Sequence, residues 1–83
     1  MAQVTIRYWA SAKAAAGTAS EQYDVRTLAE LVSAAAGRHG PALERVLSTC
    51  SFLVDEVRAG TDDPRATLRD GACVEALPPF AGG

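Results

Sequence analysis

The chain has little of what enzymes and nucleic-acid binders are built from. It holds one histidine, His39, and two cysteines, Cys50 and Cys73, among 83 residues. Neither the number nor the spacing of these residues suits a metal site, and a Cys–His nucleophile pair would need these few side chains to meet by chance. Nothing else in the sequence resembles a small secreted disulfide scaffold. The two cysteines are therefore expected as buried or half-buried thiols. An excess of basic charge is also missing. Eight Lys and Arg against ten Asp and Glu give a net charge of −2, with both signs scattered, which disfavours nucleic acid and anionic membranes as partners. No apolar run approaches a membrane span, and the N-terminus lacks the basic flank and apolar stretch of a signal peptide. A cytoplasmic location is expected.

What the chain does have is a core. Apolar residues make up 48% of the sequence, enough for a single two-layer domain of this length and too many for a disordered chain. Gln3 to Trp9 alternate, with Val4, Ile6 and Tyr8 on one parity and Gln3, Thr5 and Arg7 on the other, the pattern of a half-buried strand. The alanine-rich stretch Ser11 to Ala16 reads as one or two helical turns closed by Gly17. A second, mostly polar strand follows from about Ser20 to Val25, placed antiparallel beside the first.

Thr27-Leu28-Ala29-Glu30 fits a capping box. Leu28, Leu31, Val32 and Ala35 then recur at helical spacing, so the main helix starts here and turns one stripe toward the sheet. Gly37, Gly40 and Pro41 are expected to end it. Ala42 to Ser48 is a shorter amphipathic piece with Leu43, Val46 and Leu47 on one face. Ser51 to Val54 reads as a short buried strand, Asp55-Glu56 as a turn, and Val57 to Ala59 as a small return strand. Gly60 to Pro64 is loop by composition. Leu68-Arg69-Asp70-Gly71 turns into the last strand, Ala72 to Leu77. Apolar residues of that strand fall on both parities, as expected for a central strand or for one with a partner protein on its second face. The principal order is strand, strand, helix, strand, strand, in one α+β unit.

The last strand runs into Pro78-Pro79-Phe80-Ala81-Gly82-Gly83. Two prolines cannot extend a ladder, so the chain leaves the sheet on a stiff, extended Pro-Pro stalk ahead of the two glycines. That divides the sequence into a domain over residues 1–77 and a flexible tail over 78–83. Fully extended, the tail spans roughly 20 Å, enough to thread a narrow channel in another protein. Phe80 is the kind of large apolar group that anchors in a partner's pocket. A carboxylate is a poor electrophile until it is activated, for example as an acyl adenylate. The enzyme that does so must close around the terminal carbonyl, and glycine permits that approach because it has no Cβ. A bare Gly-Gly pair is weak evidence alone; behind a strand that stops at Pro-Pro-Phe it points to a carrier.

The stretch Leu68-Arg69-Asp70-Gly71-Ala72-Cys73-Val74-Glu75-Ala76-Leu77-Pro78-Pro79-Phe80-Ala81-Gly82-Gly83 resembles the C-terminal signature of the MoaD/ThiS sulfur carriers. Pro-Pro, two residues, then Gly-Gly resembles the MoaD branch, the small subunit of molybdopterin synthase. Tyr8-Trp9-Ala10 with Lys13 and Gly17 is similar to that family's first strand and short helix, and Thr27 to His39 sits where its main helix should be. The resemblance implies a ubiquitin-like β-grasp fold, a mixed sheet with one main helix packed on it. It implies no permanently bound cofactor. An E1-like adenylating enzyme, using ATP and Mg, would adenylate Gly83; sulfur transfer would then make a thiocarboxylate. Gly82 keeps the tail slim. The tail would enter the large synthase subunit and donate sulfur to precursor Z, with Leu77, Pro78, Pro79, Phe80 and Ala81 at the docking contact. On this reading the chain is no enzyme by itself.

Three positions depart from the family pattern. Ala72 stands where an acid usually follows the glycine, so a turn contact is missing. Trp9 replaces the usual Phe, and Lys13 stands where Arg is common, a change that weakens a bidentate contact. Two other readings remain. One is a carrier of the same fold for thiazole or cysteine synthesis. The other is a β-grasp binding module whose tail is never activated. A stand-alone enzyme is disfavoured because its candidate acids, Asp55, Glu56, Asp62 and Asp63, cluster in turns.

Overall fold

A computed structural model describes residues 2–61 and 67–79. Its elements are β1 (Gln3–Tyr8), α1 (Ala10–Ala16), β2 (Ser20–Asp24), α2 (Leu28–His39), α3 (Pro41–Leu47), β3 (Ser51–Val54), β4 (Val57–Ala59) and β5 (Cys73–Leu77). The strands form one sheet in the order β2-β1-β5-β3-β4. β1 and β5 run parallel, and the other neighbours are antiparallel. The last strand of the chain is thus the central one, one of the two expectations raised by its two-sided apolar pattern. The expected return strand is present as β4 and forms one edge.

Alternation decides which way each strand faces. Val4, Ile6 and Tyr8 of β1, Phe52 of β3, and Val74 and Ala76 of β5 are buried beneath the helices. There they join Ala12, Ala16, Leu28, Leu31, Ala35, Leu43 and Leu47 in one core. Each Leu, Ile or Val enclosed in this way contributes about 1.5–3 kcal/mol of hydrophobic stabilisation. Among the described residues no helix covers the opposite face of the sheet.

The main helix begins as its sequence dictates. Thr27 Oγ1 accepts from the Glu30 amide at 3.1 Å, and Glu30 Oε1 accepts from the Thr27 and Arg26 amides at 3.1 and 2.8 Å. Its end differs from expectation. The helix runs through Gly37 to His39 and is broken only at Gly40, whose φ of 95° and ψ of −168° belong to glycine territory. A glycine in a helix interior costs about 1 kcal/mol relative to alanine. The extension brings His39 to the carboxylate of Glu21 on β2.

That contact is part of a polar cluster at the β1–β2 end of the core. The hydroxyls of Tyr23 and Tyr8 donate to Glu21 Oε2 at 2.5 and 3.2 Å, and the Tyr8 and His39 rings meet edge to face, 6.3 Å between centroids. Burial raises the Tyr8 hydroxyl pKa well above its ordinary value, and the neighbouring Tyr23 and Glu21 push it further. Burial also works to raise the Glu21 pKa. The hydrogen bonds from Tyr23, His39 and Tyr8, with the charge of His39, outweigh it and leave the carboxyl lowered.

Other boundaries shift slightly. β1 stops at Tyr8, and Trp9 caps α1. β2 ends at Asp24, one residue short of Val25, and β5 starts at Cys73, one residue later than expected. α1 begins at Ala10, one residue earlier than expected, and closes as expected at Gly17, in the left-handed conformation. Within the loop expected from Gly60 to Pro64, residues 62–64 lie outside the described residues.

Candidate functional site: the base of the tail

Everything around β5 fixes where the chain leaves the sheet. At its start Gly71 takes a φ of 87°, which a residue with a Cβ resists. Around it, the Gln3 amide donates to Asp70 Oδ1 at 2.8 Å, and the Gly71 amide donates to the Gln3 carbonyl at 2.8 Å. On the other side of β5 the Cys73 amide donates to Asp55 Oδ1 at 3.0 Å, while the Asp55 amide donates to the Cys73 carbonyl at 2.8 Å. Arg69 Nε stands 3.7 Å from the same Asp55 carboxylate. The register of the central strand is therefore clamped at one end by two acids, Asp55 and Asp70. Asp55 acts in the turn it was expected to occupy, where it also holds the neighbouring strand.

The turn contact expected to be lost at Ala72 needs no acid there. The Ala72 side chain is 1% exposed, a site where an unpaired carboxylate would be costly. Asp70, two residues earlier, supplies the carboxylate instead.

At its other end β5 pairs Leu77 with Ser51 and then stops, as two prolines require. Pro78 is buried and Pro79 exposed. Of the docking residues named from the sequence, Leu77, Pro78 and Pro79 come together. With Ser51, Leu53 and Arg58 they line a shallow depression of about 280 Å³ on the helix-free face. Phe80, Ala81, Gly82 and Gly83 lie outside the described residues.

The sequence reading missed the rest of this surface. Arg7 pairs with Glu75, Glu75 with Leu53 and Leu53 with Arg58, so these four side chains form one cross-strand row on the open face. Trp9 continues the parity of Arg7 and is 41% exposed. Its indole Nε1 donates to Glu75 Oε1 at 3.2 Å, and the Arg7 guanidinium lies 5.1 Å from its ring centroid. Arg58 donates to Ser51 Oγ at 3.4 Å. These polar groups are occupied in holding the surface together, an arrangement suited to binding. Odd-parity positions of β1, β3 and β5 carried the signal, but only the strand order reveals that they are neighbours.

The cysteines are free and half-buried, as expected. Burial pushes the Cys50 thiol up to about 11. Among the described residues no group of three or more His, Cys, Asp or Glu could hold a metal ion, and no helix is long and apolar enough to cross a membrane.

No family model matches the chain, and no curated protein matches its sequence. Solved structures do match over nearly its whole length. Small archaeal modifier protein 1 of Methanosarcina acetivorans superposes with a TM-score of 0.85 at 21% identity, covering 100% of this chain and 98% of that one. The same-named protein of Haloferax volcanii gives 0.80 at 24% identity, covering 98% and 99%. A chain in the complex of subunits 1 and 2 of molybdopterin-converting factor from Helicobacter pylori 26695 gives 0.71 at 22% identity, covering 98% and 99%. These neighbours match the family that the tail resembles. At such identities the likeness establishes the fold, and the chain is a ubiquitin-like β-grasp protein.

Proposed function

We propose that the chain is a sulfur carrier that serves as the small subunit of molybdopterin synthase. The observation that carries this reading is the position of β5. The strand is central, hydrogen-bonded on both sides and clamped by Asp55 and Asp70, and it presents Leu77-Pro78-Pro79 at the margin of an open, partly apolar face. A carrier needs this combination of a rigid body, a fixed exit point and a surface for the enzyme that receives the tail. The superposition on a chain from a complex of molybdopterin-converting factor subunits supports a partner subunit.

In the proposed cycle an E1-like enzyme transfers AMP from ATP to the Gly83 carboxylate and releases pyrophosphate. A sulfur donor displaces AMP and leaves a thiocarboxylate. The large synthase subunit takes the tail, and sulfur passes to precursor Z. Gly82 and Gly83 admit the backbone to both partner sites, and Leu77, Pro78, Pro79, Phe80 and Ala81 make the docking contact. The chemistry of bond making belongs to the partners.

A second reading draws on the small archaeal modifier proteins among the structural neighbours. In it the same activated carboxylate serves a different acceptor, for another sulfur pathway or for modification of a protein amine. The test is intact mass after incubation with a MoaD-type activating enzyme, ATP and a sulfur donor. A gain equal to replacement of one oxygen by sulfur, localised to Gly83, is expected. No gain would leave the chain as a binding module. Sulfur transfer to precursor Z by the thiocarboxylated protein and the large subunit then separates the two carrier readings.

A further inference from the structure

The turn that feeds β5 holds a residue pair with chemistry of its own. The chain has five aspartates and no asparagine, and only Asp70 is followed by glycine. An Asp-Gly pair can cyclise. The glycine amide nitrogen attacks the aspartate side-chain carboxyl, water leaves, and a five-membered succinimide forms. Water then opens the ring at either carbonyl. Part of the product returns as aspartate, and the rest is isoaspartate, in which the main chain runs through the former side chain. Composition is unchanged, and no oxidant or second substrate is consumed. Glycine favours the step because no Cβ crowds the attacking nitrogen.

Asp70 and Gly71 are both exposed, so burial does not protect them. What restrains them is Gln3, the first residue of β1. Its amide donates to Asp70 Oδ1 at 2.8 Å, and its carbonyl accepts from the Gly71 amide at 2.8 Å. The nucleophile and the carboxyl it must attack are thus tied to the same neighbour. The backbone is held as well, since Gly71 keeps a φ of 87° and the Ala72 amide closes the turn on the Arg69 carbonyl at 3.0 Å. Cyclisation needs the nitrogen aimed at the side-chain carbon, and these bonds must break first. Although Gln3 pairs with Asp24 of β2, its own amide and carbonyl serve the turn. It stands at a strand end, and strand ends open more readily than strand centres.

We propose that Asp70 is a latent isoaspartate site, held unreactive by the backbone of Gln3 and released when the start of β1 lifts from the turn. The product undoes part of what positions β5. Isoaspartate adds one carbon to the main chain and shortens the branch that carries the carboxylate, so the bond to Gln3 cannot re-form with Gly71 in place. The inference concerns the strand and stands apart from the carrier reading.

The test incubates the full chain at neutral pH and body temperature, and follows Asp70 by peptide mapping with electron-transfer fragmentation, which separates isoaspartate from aspartate. A peptide spanning Leu68 to Glu75 gives the unrestrained rate, and Asp70→Glu, whose ring would have six members, gives the background. The folded chain should isomerise at least about thirtyfold more slowly than the peptide, because only the open fraction reacts. Gln3→Pro removes the amide donated to Asp70 at the first residue of a strand, where proline is tolerated. It should raise the rate by about tenfold, the worth of one such hydrogen bond, while the far-UV spectrum stays that of the wild type. If that variant unfolds, wild-type rates in low urea decide. Local release leaves the rate nearly flat below the unfolding transition, whereas global unfolding gives it the full equilibrium slope. A wild-type rate within about threefold of the peptide's overturns the proposal. A rate that tracks global unfolding, or one that a folded Gln3→Pro leaves unchanged, overturns it equally.

Discussion

Gly37→Ala should stabilise the protein, although Gly37 was read from the sequence as a helix terminator. The residue sits in the last turn of α2, exposed, and a Cβ built there meets no heavy atom within 4 Å. Alanine is favoured over glycine in a helix interior by about 0.8–1.0 kcal/mol, partly because it has fewer unfolded conformations to lose. For a domain of this size that amount raises Tm by about 4–8 °C. Gly71→Ala provides the control. It also has no neighbour within 4 Å, but its φ is +87°, so the same methyl group strains the backbone and lowers stability by about 1 kcal/mol. Thermal and urea unfolding of the two variants should move in opposite directions from wild type, with unchanged urea slope. If Gly37→Ala left Tm unchanged or lower, the extension of α2 to His39 would not be helical in the way described. On the carrier reading the variant should still be thiocarboxylated, because Gly37 lies in the helix layer and not on the open face of the sheet.

Two further outcomes concern groups that the proposed carrier cycle does not use. Glu21 has a folded pKa below its ordinary value of 4.5, so its contribution to stability is complete above that value and is lost as pH falls through the lower folded pKa. Tm of the wild type should therefore drop more steeply below pH 4.5 than that of Glu21→Gln; parallel profiles would refute the role of this carboxylate. For Cys50, a pKa raised from 9.0 to about 11 leaves about a hundredfold less thiolate at pH 8. Its alkylation by iodoacetamide, followed by peptide mass, should slow by about that factor in the folded protein relative to the chain in denaturant. Equal rates would mean that the thiol is not buried as described.

Local chemistry was legible wherever the cause lay within a few residues. Thr27 and Glu30 reveal a capping box because both partners lie in one helical turn, and Pro78-Pro79 ends a strand wherever that strand lies. The centrality of β5 was half legible: apolar residues on both parities suit a central strand, yet Cys73, Glu75 and Leu77 on its second face are only half-buried. Gly37 misled because intrinsic propensity is a weak guide that tertiary context overrides. The Glu21 cluster was invisible for a different reason. Tyr8, Glu21 and His39 lie in three elements, and nothing in their spacing announces that Tyr8, Tyr23 and His39 all converge on one carboxylate. The Asp55–Glu56 turn was placed correctly, but not its conformation. Both residues have positive φ, 48° and 71°, without the Gly or Asn that usually marks a tight hairpin.

The same limit explains the site. A sequence shows a tail as a tail, so Leu77 to Gly83 could be named in order. The surface beside it comes from four strands brought together by a mixed sheet, and its members Arg7, Leu53, Arg58 and Glu75 are scattered along the chain. Parallel pairing of the first and last strands is the decisive step, since it places Trp9, which follows the first, beside the exit of the last. Had β5 joined the sheet at an edge, the tail would leave with cations on one side only. Because it is central, Arg7 and Arg58 lie on either side of its line. The sheet thus surrounds β5 with charged and apolar side chains that no single segment of the chain supplies.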